Sequence, residues 1–328
     1  MTDMMRQVVF TECERAELLS VPAGAPGPDE VAGRTLTSVI SAGTELGMQY
    51  TATDGFPHEP GYGAVFEIDA VGSNIADVRP GDHVFCIGKH ASRQCTARED
   101  VVPVPSGLAP EVAVLTRMVA ISYRSLVRTR VRPPARALVT GLGAVGHFAA
   151  RLFADAGYTV CAVDPNAGRR DMLGTFLQCD MFERTPLGNP DWQDRVDIIL
   201  ECSGLEQVVY EACCIARKQA EIIVVGVPWK DSDFPASGIL YKVFWRHLSL
   251  TSGYEWDLPW TPTASEPESY SGNCAAILDR LQNGSLPVDG LYATVTPNNC
   301  QRVYQAILEG HSPALCTVFD WRVAQEPA

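Results

Sequence analysis

Three glycines at G-x-G-x-x-G spacing, Gly141, Gly143 and Gly146, lie between an apolar run at 137–140 and a helical pattern that Gly157 closes. A second apolar run, 158–163, ends on Asp164. Glycine at the first position permits a sharp turn, at the second lets backbone approach a diphosphate, and at the third lets helix pack closely on strand. Ala144 and Val145 open the helix, whose free N–H groups and partial positive charge attract phosphate. Asp164 is placed to accept hydrogen bonds from an adenosine ribose and to repel a 2′-phosphate. The chemistry expected is dinucleotide binding, with NAD the cofactor; Arg169 and Arg170 just downstream keep NADP possible. A bare glycine-rich turn is the alternative, but strand, glycines, helix, second strand and acid all arrive in order.

The elements around this unit supply further candidates. The runs 196–200 and 221–225 read as buried strands. Glu201-Cys202-Ser203-Gly204 and Gly226-Val227-Pro228 follow them. Cys202, Ser203, Gly226 and Val227 are therefore expected beside the cofactor's ribose and nicotinamide. Strand and helix alternate to a last strand at 248–253, which implies a doubly wound parallel sheet. Before residue 110, strands alternate with Gly/Pro turns, the pattern of a small barrel-like β domain. Helices are expected at 110–129, 273–282 and 298–308, with a strand at 291–296 and a surface loop at 257–271.

Composition narrows the classes of partner. A chain of 328 residues is long enough for two domains with proper cores. A formal net charge of −13 argues against nucleic acid or an anionic membrane, both of which need a basic face. No apolar run reaches spanning length, and MTDMMRQVVF lacks the core of a signal peptide. The eleven cysteines are scattered without a C-x-x-C pair and read as reduced thiols of a cytoplasmic protein.

ISAGTEL (40–46), EPGYGAV (59–65), RPGDHVF (79–85), GLGAVG (141–146), DIILECSG (197–204) and GSLPVDGLYATVTP (284–297) together resemble the medium-chain dehydrogenase/reductase superfamily over nearly the whole chain. The SAGTE wording is similar to that of bacteriochlorophyllide dehydrogenases. The resemblance implies an α/β protein in two domains. A GroES-like β-rich catalytic domain spans 1–118 and is completed by 273–328; a Rossmann domain with a doubly wound parallel sheet spans 119–272, and an active-site cleft lies between them. It also implies an NAD(P)-dependent oxidoreductase acting on a small molecule. The apolar segment 239–250, near the last strand, suggests a homodimer paired through the sheet edge.

Departures from the family pattern bear on mechanism. Zinc-dependent members carry a ligand cysteine where Ala42 stands, and Gly-His-Glu where this chain has Gly61-Tyr62-Gly63; their four-cysteine lobe is missing. Alanine and glycine offer zinc no donor, so no metal is expected. Thr44 matches the position whose hydroxyl contacts the reacting oxygen. Glu45 either binds a substrate hydroxyl or is an outward charge fixing a domain contact. Tyr62 either donates to a carbonyl oxygen or fills the vacated metal site. Tyr50, His58, Lys89 and His90 read as surface or packing residues before catalysts, and His147 as a helix-surface residue near the pyrophosphate. The reaction expected is interconversion of a secondary alcohol and a ketone on a polar or natural-product-like substrate. An enone (quinone-type) reductase and a non-catalytic cofactor-binding protein are the alternatives.

Overall fold

The computed structural model describes residues 4–228, 234–312 and 314–323. They form two compact units, one running to Arg117 and resuming at Leu258, the other Met118–Asp257. The first unit opens with a hairpin of β1 (Met4–Glu12) and β2 (Arg15–Pro22), followed by β3 (Glu30–Val39), β4 (Ala64–Val71), β5 (His83–Cys86), β6 (Arg93–Ala97) and β7 (Val101–Pro103). The organising strand is β3. Its antiparallel partner β4 lies on one side, and β6 pairs with its first half on the other. Eight of the ten β3 residues are buried, and these are apolar, glycine or hydroxyl-bearing; the charged Glu30 and Arg34 are the two that are not buried. Gly33 sits where the register with β4 shifts; a Cβ there would lie 2.0 Å from the Glu67 carbonyl oxygen. Two helices follow, the short α1 (Pro110–Ala113) and α2 (Thr116–Arg128).

The second unit is a parallel sheet with helices between its strands. Its elements are β8 (Arg136–Thr140), α3 (Ala144–Asp155), β9 (Thr159–Val163), α4 (Ala167–Gly174), β10 (Asp180–Phe182), β11 (Val196–Glu201), α5 (Glu206–Ile215), β12 (Ala216–Val224), α6 (Ala236–Arg246) and β13 (Ser249–Ser252). The strand order is β10-β9-β8-β11-β12-β13, which reverses direction beside β8. Successive residues alternate between the two faces. Ala137, Val139, Ile198 and Leu200 pack with Ala149 and Phe153 of α3, while Leu138, Ile199 and Ile222 pack with Ala212 and Cys213 of α5.

The apolar stretch 239–250, read as lying near a sheet edge, is mostly helix. Ile239 and Val243 of α6 face the core, while Leu240, Tyr241, Phe244 and Trp245 are exposed. The edge strand β13 that follows is exposed at every residue.

The chain then returns to the first unit with α7 (Tyr270–Gln282), β14 (Tyr292–Val295), α8 (Cys300–Leu308) and β15 (Cys316–Asp320). β15 pairs antiparallel with β3 through Val318–Val39, and β14 extends that sheet. The stretch 258–272, which the sequence assigns to the nucleotide-binding half, packs here: the Trp260 ring stacks on Tyr270 at 5.0 Å, and its indole N–H donates to the Glu99 carbonyl. All eleven cysteines are free thiols. Among the described residues no helix is long and apolar enough to cross a membrane.

Candidate functional site

The glycine turn of the second unit forms as its spacing predicts. Gly141 has φ +81°, a conformation costly for any side chain, and donates its N–H to the Val163 carbonyl at 2.8 Å. A Cβ on Gly146 would lie 1.8 Å from the Gly141 oxygen, so only glycine lets α3 start this close to β8. A Cβ on Gly143 would meet nothing within 4 Å: the space in front of the helix N-terminus is open. Ala144 and Val145 form the first turn of α3 there. These residues fit a dinucleotide's diphosphate, which needs bare backbone N–H groups and room to approach.

Three neighbouring strand ends complete this edge. Asp164 is 2% exposed and accepts the Leu142 N–H at 2.7 Å and the Asn166 N–H at 2.8 Å. The half-exposed Arg169 guanidinium reaches it at 3.5 Å, and Arg170 donates to its carbonyl oxygen at 2.6 Å. At the end of β11, Glu201 is sealed from water; its carboxylate accepts N–H groups of Ser203 at 2.7 Å and Gly204 at 3.2 Å, and the Ser203 hydroxyl. Burial raises its pKa, and the Ser203 bonds partly offset this. The Glu201 carbonyl in turn accepts the Gly226 N–H at 2.7 Å. Cys202, Ser203, Gly226 and Val227 are thereby gathered beside the glycine turn. A cavity of about 710 Å³ opens at the opposite ends of these strands, where its Arg124 and Arg217 already pair with Asp257 and Asp197.

In the first unit the candidate residues separate. Ala42 and Gly43 are exposed and Thr44 half-buried, on a tight turn where the Thr44 N–H meets Ser41 Oγ at 3.3 Å. Glu45 points the other way and is 1% exposed. Its Oε1 accepts the Ser41 N–H at 2.9 Å; its Oε2 accepts His90 Nε2–H at 3.1 Å and the Tyr304 hydroxyl at 2.5 Å. His90 Nδ1 lies 2.7 Å from Ser38 Oγ, which accepts the Trp321 indole N–H at 2.9 Å. The directions agree when His90 carries its proton on Nε2. Burial, reinforced by the Glu45 charge, pushes the Tyr304 phenol well above its usual pKa, so it stays a donor. Both readings made for Glu45 from the sequence, a substrate-binding carboxylate and an outward charge, are corrected here: its oxygens face inward and are taken.

Tyr62 is half-buried, with the Arg117 guanidinium 3.8 Å from its ring centre. Tyr50 is a core residue stacked on Tyr304 at 5.4 Å, His58 is bound to the Asp54 carbonyl, and Lys89 pairs with Glu59.

Sequence reasoning passed over Arg117, His90's partners Ser38 and Tyr304, and the burial of His147. An arginine inside the apolar run 112–121 was a usable signal; Tyr304 carried none. His147, expected on the helix surface, is fully buried between Phe148 and Phe176. Neither ring nitrogen finds a hydrogen-bond partner among the described residues, and burial, with the Arg151 charge added, pushes its pKa down to about 3.

Two measurements follow from this geometry. A histidine held neutral in the fold contributes stability above its unfolded pKa of 6.5 that is lost as pH falls towards about 3. His147→Leu should therefore flatten the acid side of the stability profile between those values, each pH unit being worth about 1.4 kcal/mol at most; urea melts at pH 8 and pH 4.5 read it, and equal losses in both proteins would contradict it. Glu45→Ala strands three buried donors and should cost about 3–5 kcal/mol. Thermal melts should show Glu45→Gln, which keeps one acceptor, losing less.

No family model matches the chain. A stretch of 157 residues is 27% identical to L-galactonate-5-dehydrogenase of Escherichia coli (strain K12), covering 39% of this chain and 46% of that one. The chain spans about half the length of the curated relatives it matches. Galactitol-1-phosphate dehydrogenase from Escherichia coli superposes with a TM-score of 0.82 at 18% identity, covering 96% of this chain and 99% of that one. Acetophenone reductase from Geotrichum candidum NBRC 4597, in complex with NAD, superposes with a TM-score of 0.78 at 16% identity, covering 98% of each chain. With its sequence relatives and structural neighbours among alcohol and polyol dehydrogenases, the chain has the medium-chain dehydrogenase fold: a GroES-like β unit and a Rossmann unit in one polypeptide.

Proposed function

We propose that this chain is an NAD(P)-dependent oxidoreductase interconverting a secondary alcohol and a ketone on a polar, sugar-like small molecule without a catalytic metal. The observation that carries the reading is the open space before Gly143 at the N-terminus of α3, framed by Gly141, Gly146 and Asp164. The diphosphate would lie on the N–H groups of Gly143, Ala144 and Val145, the ribose against Asp164 and Arg169, and the nicotinamide end by Cys202, Ser203, Gly226 and Val227. The cofactor, when bound, supplies the hydride chemistry. The protein's own task is one proton and the orientation of one oxygen. Thr44, half-buried on a turn that Glu45 holds from beneath, is the first group to bond that oxygen; the Tyr62 phenol is the second.

The donor chemistry supports a metal-free reaction. Ala42 has no donor atom, and Gly63 faces the stem of Arg117, whose Cβ lies 2.9 Å from a Cβ built on it. Among the described residues no three His, Cys, Asp or Glu side chains come together as a metal site. A fixed guanidinium beside Tyr62 would also repel a dication.

The purified chain should bind NADH more tightly than NADPH by fluorescence titration and turn over members of a panel of polyols, sugar acids and cyclic ketones. Activity should survive chelators. Thr44→Ala should lower kcat by about 10²-fold with the cofactor Kd unchanged. Near-stoichiometric zinc whose removal abolishes turnover would overturn the metal-free reading, and preference for enones would move the reaction to the β-carbon.

We infer further that the chain is a homodimer. The exposed edge β13 and the apolar side of α6 at Leu240, Tyr241, Phe244 and Trp245 support pairing of two copies. Light scattering at micromolar concentration should report twice the chain mass, and Phe244→Glu should halve it; a wild-type monomer would end the idea.

A further inference from the structure

We propose that Arg117 is the fixed cation of the candidate site, holding the Tyr62 ring and favouring ionisation of its phenol. This deepens the role assigned to Tyr62 above and rests on that reading. Arg117 is fully buried at the start of α2, so it cannot itself touch a substrate and must act through a neighbour. Three features of the Gly61-Tyr62-Gly63 segment converge on it. Its guanidinium carbon stands 3.8 Å from the Tyr62 ring centre, and its Nε donates to the Tyr62 carbonyl at 3.0 Å. Its Cβ and Cγ would lie 2.9 and 3.0 Å from a Cβ on Gly63, so glycine there is what admits the arginine stem.

A charge over an aromatic face attracts the ring's electrons, and the attraction grows when the ring carries the phenolate's negative charge. Excluding water strengthens it. Arginine suits the position because it stays protonated when buried and presents a flat face to a flat ring. Tyr270 of α7 presents its ring 6.0 Å from the guanidinium. The Cys274 thiol on the same helix is pushed up to about 12 by burial and remains neutral. Lys89, whose backbone crowds Gly61, is paired with Glu59. Tyr62 thus holds its proton less tightly than an ordinary phenol, as a group that takes a proton from an alcohol, or returns one to a ketone, must do without a Lewis acid.

Alkaline titration of the full chain at 295 nm tests this with neither substrate nor cofactor. Subtracting the Tyr62→Phe curve from the wild-type curve isolates one phenol from the other tyrosines. Its midpoint should fall below about 10, the ordinary tyrosine value. In Arg117→Met, which keeps the bulk and loses the charge, the midpoint should rise by about one pH unit or more. Arg117→Lys should restore most of the shift. Circular dichroism checks folding, and Arg117→Gln, which keeps a donor for the Tyr62 carbonyl, replaces the methionine variant if that one fails to fold. A wild-type midpoint at or above the ordinary value, or one that both neutral variants leave unmoved, would overturn the proposal. Such a failure leaves the oxidoreductase reading standing, whereas zinc-dependent turnover beside a low Tyr62 midpoint would sink the metal-free reading alone.

Discussion

A carboxylate sealed from water must be met by donors, and three of them set the working turns of this protein. Glu45 accepts the N–H of Ser41 and so fixes the turn that exposes Ala42 and Gly43 and carries the half-buried Thr44. Asp164 accepts the N–H of Leu142 from within the glycine turn. Glu201 gathers Ser203 and Gly204. In each case the acid lies beneath the turn and small or polar residues lie on top. The turns are short of side chains of their own, so their shape is borrowed from the buried charge.

This arrangement separates holding from reacting. Glu45 is held by His90, Tyr304 and the Ser41 backbone and occupies the inward position, which leaves Thr44 the role of meeting a ligand proposed for it above. Asp164 combines both tasks: its two backbone bonds brace the turn, and its edge towards Arg169 is where a ribose would compete. Removing that carboxylate would loosen the glycine turn as well as the proposed ribose contact, so the two effects are physically inseparable at this residue.

Buried cations and neutral bases obey the complementary rule. Arg117 is tolerated in the interior because aromatic faces and a carbonyl replace its hydration. His147 is tolerated because it gives up its proton. Each therefore carries information about conditions: the first keeps its charge at any working pH, while the second makes the α3 region sensitive to acid.

The sequence alone determined what is local. The glycine spacing, the helix behind it and Asp164 fall within residues 137–164, and their geometry follows from backbone sterics and helix polarity over short range. The parallel order of the second unit followed from the alternation of apolar runs and helical patterns. Only the tertiary structure decided the partners of Glu45, since His90 is 45 and Tyr304 is 259 residues away in the chain. It likewise brought Arg117 onto Tyr62 across 55 residues. The apolar segment 239–250 was legible as apolar but not as helix, because a short greasy run suits either state until its neighbours choose a face. His147 was misplaced for a related reason: helical spacing marks which face is apolar, but not that a second layer, here Phe176, covers the other. Period and propensity act along the chain, whereas burial and the pairing of charges are settled only where distant segments exclude water together.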